Sequence, residues 1–275
     1  MAIEQEVLVS GEEGLDAPDR FTVPSAIATP EEAMMGVAAS DGRSSAEHSI
    51  ISLRPGTDAF ADACRKLDRR PLGYRFAKRA FDIAFSAVII VVGFIPCALL
   101  SIAIAFDTMG SPIYTQERVG RLGSPFRIYK FRTMVADADD VEKYLNAEQL
   151  AEWHREHKVK DDPRITRLGR VLRRTSLDEL PQFLNVLVGQ LSVIGPRAIT
   201  YDELAHYGIN VTLLLSVPQG ITGAWQAGAR NDATFETGER QEIELGYARN
   251  ASLHEDARVF LATFSAMFGK GRSGR

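Results

Sequence analysis

The sequence predicts an α+β chain, mainly helical, organised around one membrane-inserted helix. Ile83 to Phe106 is a run of twenty-four residues without a formal charge, rich in Ile, Val, Ala, Leu and Phe, long enough to cross a hydrocarbon core of about 30 Å. Beyond it, two β-prone runs are joined by Gly120-Arg121-Leu122-Gly123, the pattern of a hairpin. Two amphipathic stretches with basic edges follow at helical spacing, the composition of helices that lie in a lipid interface.

The N-terminal part differs from the rest. The chain has 275 residues, 45% of them hydrophobic, enough for one or two domains with a real core. Its net charge of -4 is unevenly spread: residues 1–64 carry twelve acidic and three basic side chains among small residues and prolines. Such a stretch buries too little apolar surface to offset its ordering entropy, so residues 1–70 are expected to be a disordered acidic tail. No basic segment followed by an apolar one opens the chain, which argues against a secretory signal. Cys64 and Cys97 stand in unlike surroundings and predict neither a disulfide framework nor a metal site.

The charge inverts from Arg65 to Arg79, with seven basic residues against Asp68. The default reading of Ile83 to Phe106 is one transmembrane helix. Two features oppose it. Pro96 lacks an N–H where no water replaces the lost bond, so a break is expected there. Both flanks are basic, with Arg118, Arg121, Arg127, Lys130 and Arg132 outweighing Asp107 and Glu117 on the far side, so both ends favour the same side of the membrane. A re-entrant helix broken at Pro96 satisfies both flanks, and a kinked spanning helix is the alternative.

Ser111–Val119 and Phe126–Arg132 form the expected hairpin, with Arg127, Tyr129 and Phe131 alternating against Ile128, Lys130 and Arg132. Asp137–Lys160 is charged and helical in pattern. Its His154 and His157 lack a third ligand at a convincing spacing, so a solvated face is the better reading. In the segment from Asp162 to Arg174, Arg164, Arg167, Arg170, Arg173 and Arg174 recur at helical spacing, suiting an anionic lipid surface. No base-reading module accompanies them, which argues against nucleic acid.

The motif that follows runs Thr175-Ser176-Leu177-Asp178-Glu179-Leu180-Pro181-Gln182, then Asn185-Val186, then Ser192-Val193-Ile194-Gly195-Pro196-Arg197. Ser176-x-x-Glu179 has the form of a capping box, but Pro181 would then fall inside the helix. A helix starting nearer Asp178 avoids that cost and sets Asp178 against unpaired N–H groups, which keep a carboxylate ionised and favour phosphate. After a further helix comes Val217-Pro218-Gln219-Gly220-Ile221-Thr222-Gly223-Ala224-Trp225-Gln226. Ser252–Phe268 then presents Leu253, Ala257, Phe260, Leu261, Phe264 and Phe268 on one face, ahead of basic Lys270 and Arg272.

From Arg75 to Phe268, and above all from Thr175 to Arg197, the chain resembles the bacterial sugar transferases, the monotopic polyprenyl-phosphate phosphoglycosyl transferases, in their short exopolysaccharide-initiating form. Tyr129 to Met134 is similar to that family's Tyr-Lys-Phe-Arg-Thr-Met motif, and Pro218 to Gln226 to its Pro-Gly-x-Thr-Gly-x-Trp-Gln loop. Ala198 stands where a second proline normally follows Gly-Pro-Arg, and Ile95 where a small polar residue usually precedes the proline of the membrane helix.

The resemblance implies transfer of a sugar 1-phosphate from a UDP-sugar to polyprenyl (undecaprenyl) phosphate with release of UMP, at the cytoplasmic face of a bacterial inner membrane. It implies Asp178 as the nucleophile of a covalent intermediate, Glu179 as catalytic and as ligand of Mg2+, and Arg197, Lys130, Arg132 and Arg174 as phosphate-binding cations. Residues 71–110 are then the juxtamembrane and re-entrant segment, 111–268 the catalytic domain and 269–275 a disordered basic end. Anionic lipid is the expected surface partner. Oligomeric state and the identity of the sugar are open, and a scaffold that kept the fold without activity is the alternative function.

Overall fold

The computed structural model describes residues 54–156, 159, 161–228 and 233–268. The expected tail up to residue 53, the basic end from 269, and His157 lie outside the described residues. The tail boundary at residue 70 needs correction, because helix α1 (Asp58–Leu67) is folded and packed. Thr57 caps it by accepting the Phe60 N–H at 3.3 Å. Phe60 and Cys64 are wholly buried with Val119, Ile199, Leu214 and Leu215, and that apolar contact outweighs the acidic composition around it.

Helix α2 (Leu72–Thr108) has 37 residues, and among the described residues it is the one helix long and apolar enough to cross a membrane. Helix continues through Pro96, correcting the expected break. A proline deprives a helix of one hydrogen bond and crowds one turn, which bends a helix without ending it. Tyr74, Lys78, Asp82 and Ser86 are buried at intervals of four, and Ile104 and Thr108 are buried near the other end. Val88, Val91, Val92, Phe94, Ile95 and Leu99, between them, are exposed.

Strands β1 (Ile113–Val119) and β2 (Pro125–Phe131) pair antiparallel with Tyr114 opposite Lys130 and Arg118 opposite Phe126. The expected hairpin is therefore present. Two helices, α3 (Val141–Tyr144) and α4 (Ala147–Glu156), lead to α5 (Arg167–Thr175). Arg164 precedes α5 and is buried in a bidentate pair with Asp162, so it is not part of the basic face expected of that helix. Ser176 closes α5 in the left-handed region at φ 57°, with its N–H bonding back to Arg173 and Leu172. It is a C-cap, and the capping box does not form.

A 3-10 turn (Leu177–Glu179) leads to α6 (Gln182–Val188), which Pro181 precedes without breaking. Then come β3 (Ser192–Ile194), a 3-10 segment (Asp202–Asn210), α7 (Val211–Leu214), β4 (Gly220–Thr222), α8 (Ala224–Gly228), α9 (Glu239–Asn250) and α10 (Leu253–Phe268). β3 and β4 are parallel. The main core joins Phe126 and Ile128 of the hairpin to Val186, Val193, Tyr247 and Val259. A second cluster joins Ile104 of α2 to Phe131 and Leu172. Phe260 of α10 packs on Phe81 and Phe85 of α2, whereas Leu253, Leu261 and Phe264 are exposed.

The first half of α2 is held by buried polar contacts. Asp256 accepts from Lys78 Nζ at 2.9 Å, Tyr74 Oη at 2.9 Å and Tyr247 Oη at 2.5 Å. Asp82 accepts from Ser192 Oγ at 3.0 Å and the Val193 N–H at 2.9 Å. Removing one partner from a buried pair strands the other charge at a cost of about 3–5 kcal/mol. Asp256→Ala is therefore expected to lower the unfolding midpoint in detergent, followed by tryptophan fluorescence, by roughly 10 °C. A shift within error of wild type would show that Lys78 finds water.

Candidate active site

Strand alternation and register put Arg118 on β1 and Ile128 and Lys130 on β2 on one face of the hairpin. They line a narrow, open cleft together with Glu179, Gln182, Arg197 and Gln226. Lys130 Nζ lies 3.5 Å from a Glu179 carboxylate oxygen. Burial lowers the Lys130 pKa, with Glu179 acting in the opposite sense.

Asp178 immediately precedes Glu179 in the turn. Burial first, and the Glu179 charge second, raise its pKa, while Lys130 and Arg173 pull it down. Arg173 is held in place by its Nε donating to Thr133 Oγ1 at 2.9 Å. Gly169 makes that possible, since a Cβ there would sit 2.0 Å from the Thr133 carbonyl oxygen. Helix α5 thus lies directly on the strand end that follows Lys130.

Arg197 reaches the cleft from a loop fixed by backbone contact. Gly195 donates its N–H to Thr222 O at 2.9 Å, and a Cβ on Gly195 would lie 2.3 Å from Pro218 O. A Cβ on Gly220 or Gly223 would lie 2.2 Å from the backbone of Gly195. The two glycine-bearing motifs therefore cross with no room for side chains, carrying Arg197 from one and Gln226 from the other into the same cleft. Arg118 is tied to the Arg197 loop through Ala198 O at 3.3 Å and Glu203 at 3.0 Å.

The structure brings together Lys130, Glu179 and Arg197, with Asp178 alongside. It does not bring Arg132, whose Nε donates to Ser111 O at 2.7 Å and whose guanidinium stands 5.9 Å from the Tyr114 ring. Arg173 and Arg174 are both exposed, and it is Arg173, bonded to Thr133, whose charge acts on Asp178. Pro96 sits in the exposed middle of α2. Sequence reasoning missed Arg118, Arg173, Gln182 and Gln226 as site residues. The alternation of β1 carried a signal for Arg118, and the motif ending in Gln226 carried one for that residue.

Among the described residues no three His, Cys, Asp or Glu side chains cluster as a ready metal cage. The donor set still suits Mg2+, which takes one or two carboxylates and completes its shell with water and substrate phosphates. Glu179 supplies a carboxylate, and Gln226 Oε1 is a buried oxygen without a hydrogen-bond partner in the same cleft.

Residues 73–270 match the family model described as "Bacterial sugar transferase". Among curated relatives, the chain is 42% identical over 192 residues to the undecaprenyl-phosphate galactose phosphotransferase of Salmonella typhimurium, covering 69% of this chain and 40% of that protein. It is 39% identical over 202 residues to the exopolysaccharide production protein ExoY of Rhizobium meliloti, covering 72% of this chain and 88% of that protein. Against the UDP-glucose:undecaprenyl-phosphate glucose-1-phosphate transferase of Escherichia coli it is 34% identical over 206 residues, or 71% and 41% of the two chains. The chain thus spans about two fifths of the longer relatives and most of ExoY.

The glycine crossing sets a direct test. Gly195→Ala forces two backbones apart and is expected to destabilise the fold by on the order of 3 kcal/mol. Gly246→Ala, in the interior of α9 where a Cβ meets nothing within 4 Å, is expected to be neutral or stabilising by about 0.5–1 kcal/mol. Equal unfolding midpoints for the two variants would refute the close crossing.

Proposed function

The chain belongs to the bacterial sugar transferase family, and from that premise we propose that it moves a sugar 1-phosphate from a UDP-sugar to polyprenyl phosphate, releasing UMP and initiating exopolysaccharide or related glycoconjugate synthesis. The observation that carries this reading is the adjacent pair Asp178 and Glu179, with Glu179 lining one cleft with Lys130, Arg118 and Arg197 and Asp178 beside Lys130 and Arg173. Two carboxylates among four cations suit a substrate with two phosphates and a reaction that needs an anionic nucleophile beside them.

In the first step the Asp178 carboxylate attacks the phosphorus that bears the sugar. The bond from that phosphorus to the bridging oxygen breaks, and UMP leaves with the electron pair. An aspartyl phosphosugar remains. In the second step a phosphate oxygen of polyprenyl phosphate attacks the same phosphorus, forming the lipid diphosphate sugar and returning Asp178 as a carboxylate. Lys130, Arg118 and Arg197 orient the diphosphate and offset the charge gathering on the departing UMP. Lys130 and Arg173 oppose the burial that raises the Asp178 pKa. A Mg2+ ion held by Glu179 and Gln226 would add charge neutralisation.

We read α2, helical through Pro96 but short of one hydrogen bond there, as bent at that proline, so that it enters and leaves the bilayer on the face where this site sits, the cytoplasmic face of the inner membrane. Two features support a re-entrant course. Both ends pack on the same soluble core, through Tyr74, Lys78 and Asp82 at one end and Ile104 and Thr108 at the other, while the apolar middle faces outward. Both flanks are basic. Exposed Val171, Leu184, Leu187, Val188 and Leu261 supply apolar surface suited to an anionic lipid interface beside the arginines of α5.

Three outcomes are expected. Detergent-purified protein releases UMP from one member of a UDP-sugar panel in a manner dependent on polyprenyl phosphate, and Asp178→Asn loses roughly 10³-fold or more of that rate; an unimpaired variant would remove the nucleophile assignment. Because the Asp178 pKa is raised and only the carboxylate attacks, acidification is expected to cut kcat/KM with a midpoint above the ordinary value of 3.8. Lys130→Met, which deletes a lowering influence, moves that midpoint higher; a lower midpoint would contradict the geometry. Single cysteines placed at residues 72 and 109 of a Cys-free variant are expected to react with an impermeant maleimide from the same side of sealed vesicles, and labelling from opposite sides would establish a spanning helix.

A further inference from the structure

Behind the cleft lies a set of buried charges that the mechanism above leaves unused. Arg240 on α9 is 6% exposed, and its Cζ lies over two aromatic rings, 4.1 Å from the Trp225 centroid and 3.9 Å from that of Phe235. It pairs with Glu203 and with Glu244, each at 3.7 Å. Glu203 also holds Arg118 at 3.0 Å and the Thr200 N–H at 2.9 Å. Glu244, 1% exposed, accepts the Arg197 N–H at 3.3 Å and the Tyr207 hydroxyl. Glu203 thus holds the Arg118 guanidinium and Glu244 the Arg197 backbone, and each glutamate is shared with Arg240.

The charge balance gives this arrangement a consequence. Arg118, Arg197 and Arg240 against Glu203 and Glu244 leave one positive charge over. Without Arg240 the set would be neutral, and two buried carboxylates would be left to draw on Arg118 and Arg197 alone. Among the described residues Arg197 has no ion pair within 4 Å, although both glutamates lie close enough to interact with it electrostatically. Its guanidinium is therefore not committed within the protein.

We propose that Arg240 is a positioning residue that occupies Glu203 and Glu244 from behind, so that Arg197 and Arg118 keep their charge for the substrate diphosphate. The inference rests on the transferase reading of this cleft. Trp225 holds the Arg240 guanidinium by a cation–π contact, worth more in a desolvated site than at a surface, and its Nε1 is in turn anchored to Ala233 O at 2.9 Å. The Trp-Gln pair of the glycine-rich loop then has two tasks, Trp225 on Arg240 and Gln226 at the cleft.

The test measures affinity for inorganic pyrophosphate by calorimetry on the full-length protein in detergent, beside KM and kcat for the UDP-sugar. Arg240→Met is expected to weaken pyrophosphate binding and raise KM by roughly tenfold or more, the scale of one lost charge interaction, with kcat changed less. Arg240→Met combined with Glu244→Gln, which removes the carboxylate left over, is expected to recover most of the loss. Arg240→Lys, which keeps the charge without the planar guanidinium, stays within about threefold of wild type and serves if the methionine variant does not fold. Unchanged affinity in folded Arg240→Met, a double variant as weak as the single one, or a lysine variant as weak as methionine would each overturn the proposal. Wild-type protein that binds pyrophosphate but releases no UMP would instead refute the transferase reading and leave the role of Arg240 intact.

Discussion

The site depends on a contact in which side chains are excluded. Where Gly195 meets Pro218, Gly220 and Gly223, two loops approach at backbone distance, and the parallel pairing of β3 with β4 extends the crossing. Backbone amides have fixed length and direction, so a crossing this close fixes where Arg197 and Gln226 emerge more tightly than side-chain packing would. Cores accommodate volume changes by repacking, but two main chains in contact have no such freedom.

The same strategy recurs on the other wall. Gly169 lets α5 lie against the Thr133 carbonyl, and the Arg173–Thr133 hydrogen bond sets the angle from which a cation reaches Asp178. Asp178 is partly buried beside a second carboxylate, an arrangement that would by itself favour the neutral acid. Lys130 and Arg173 oppose that tendency from two elements. The nucleophile assignment therefore rests on four residues, Asp178 and Glu179 against Lys130 and Arg173.

Much of this was legible in the chain. The twenty-four uncharged residues, the hairpin with its Gly-Arg-Leu-Gly turn, and the convergence of Lys130, Glu179 and Arg197 all followed from composition, alternation or resemblance. The misreadings share a cause. Arg174 and Arg173 differ by about 100° around a helix, and nothing in the spacing says which one reaches Asp178 until Leu172 and Gly169 are seen packed. Arg132 continues the strand pattern of Lys130, but Ser111 O captures it where the chain leaves α2. Ser176 has the residue type of an N-cap, yet a left-handed turn makes it the end of α5. The acidic tail ends earlier than composition suggested because Phe60 and Cys64 find an apolar niche that only the folded hairpin and α7 supply.

By itself the sequence determined what local chemistry decides: which segment cannot remain in water and where the chain turns. Only the tertiary structure decided which face of each helix looks inward, and which charges, far apart in sequence, stand within a few ångströms of one another. Electrostatic attraction depends on separation in space and on the surrounding dielectric, and neither quantity exists for an arginine and a glutamate until the elements that carry them have packed.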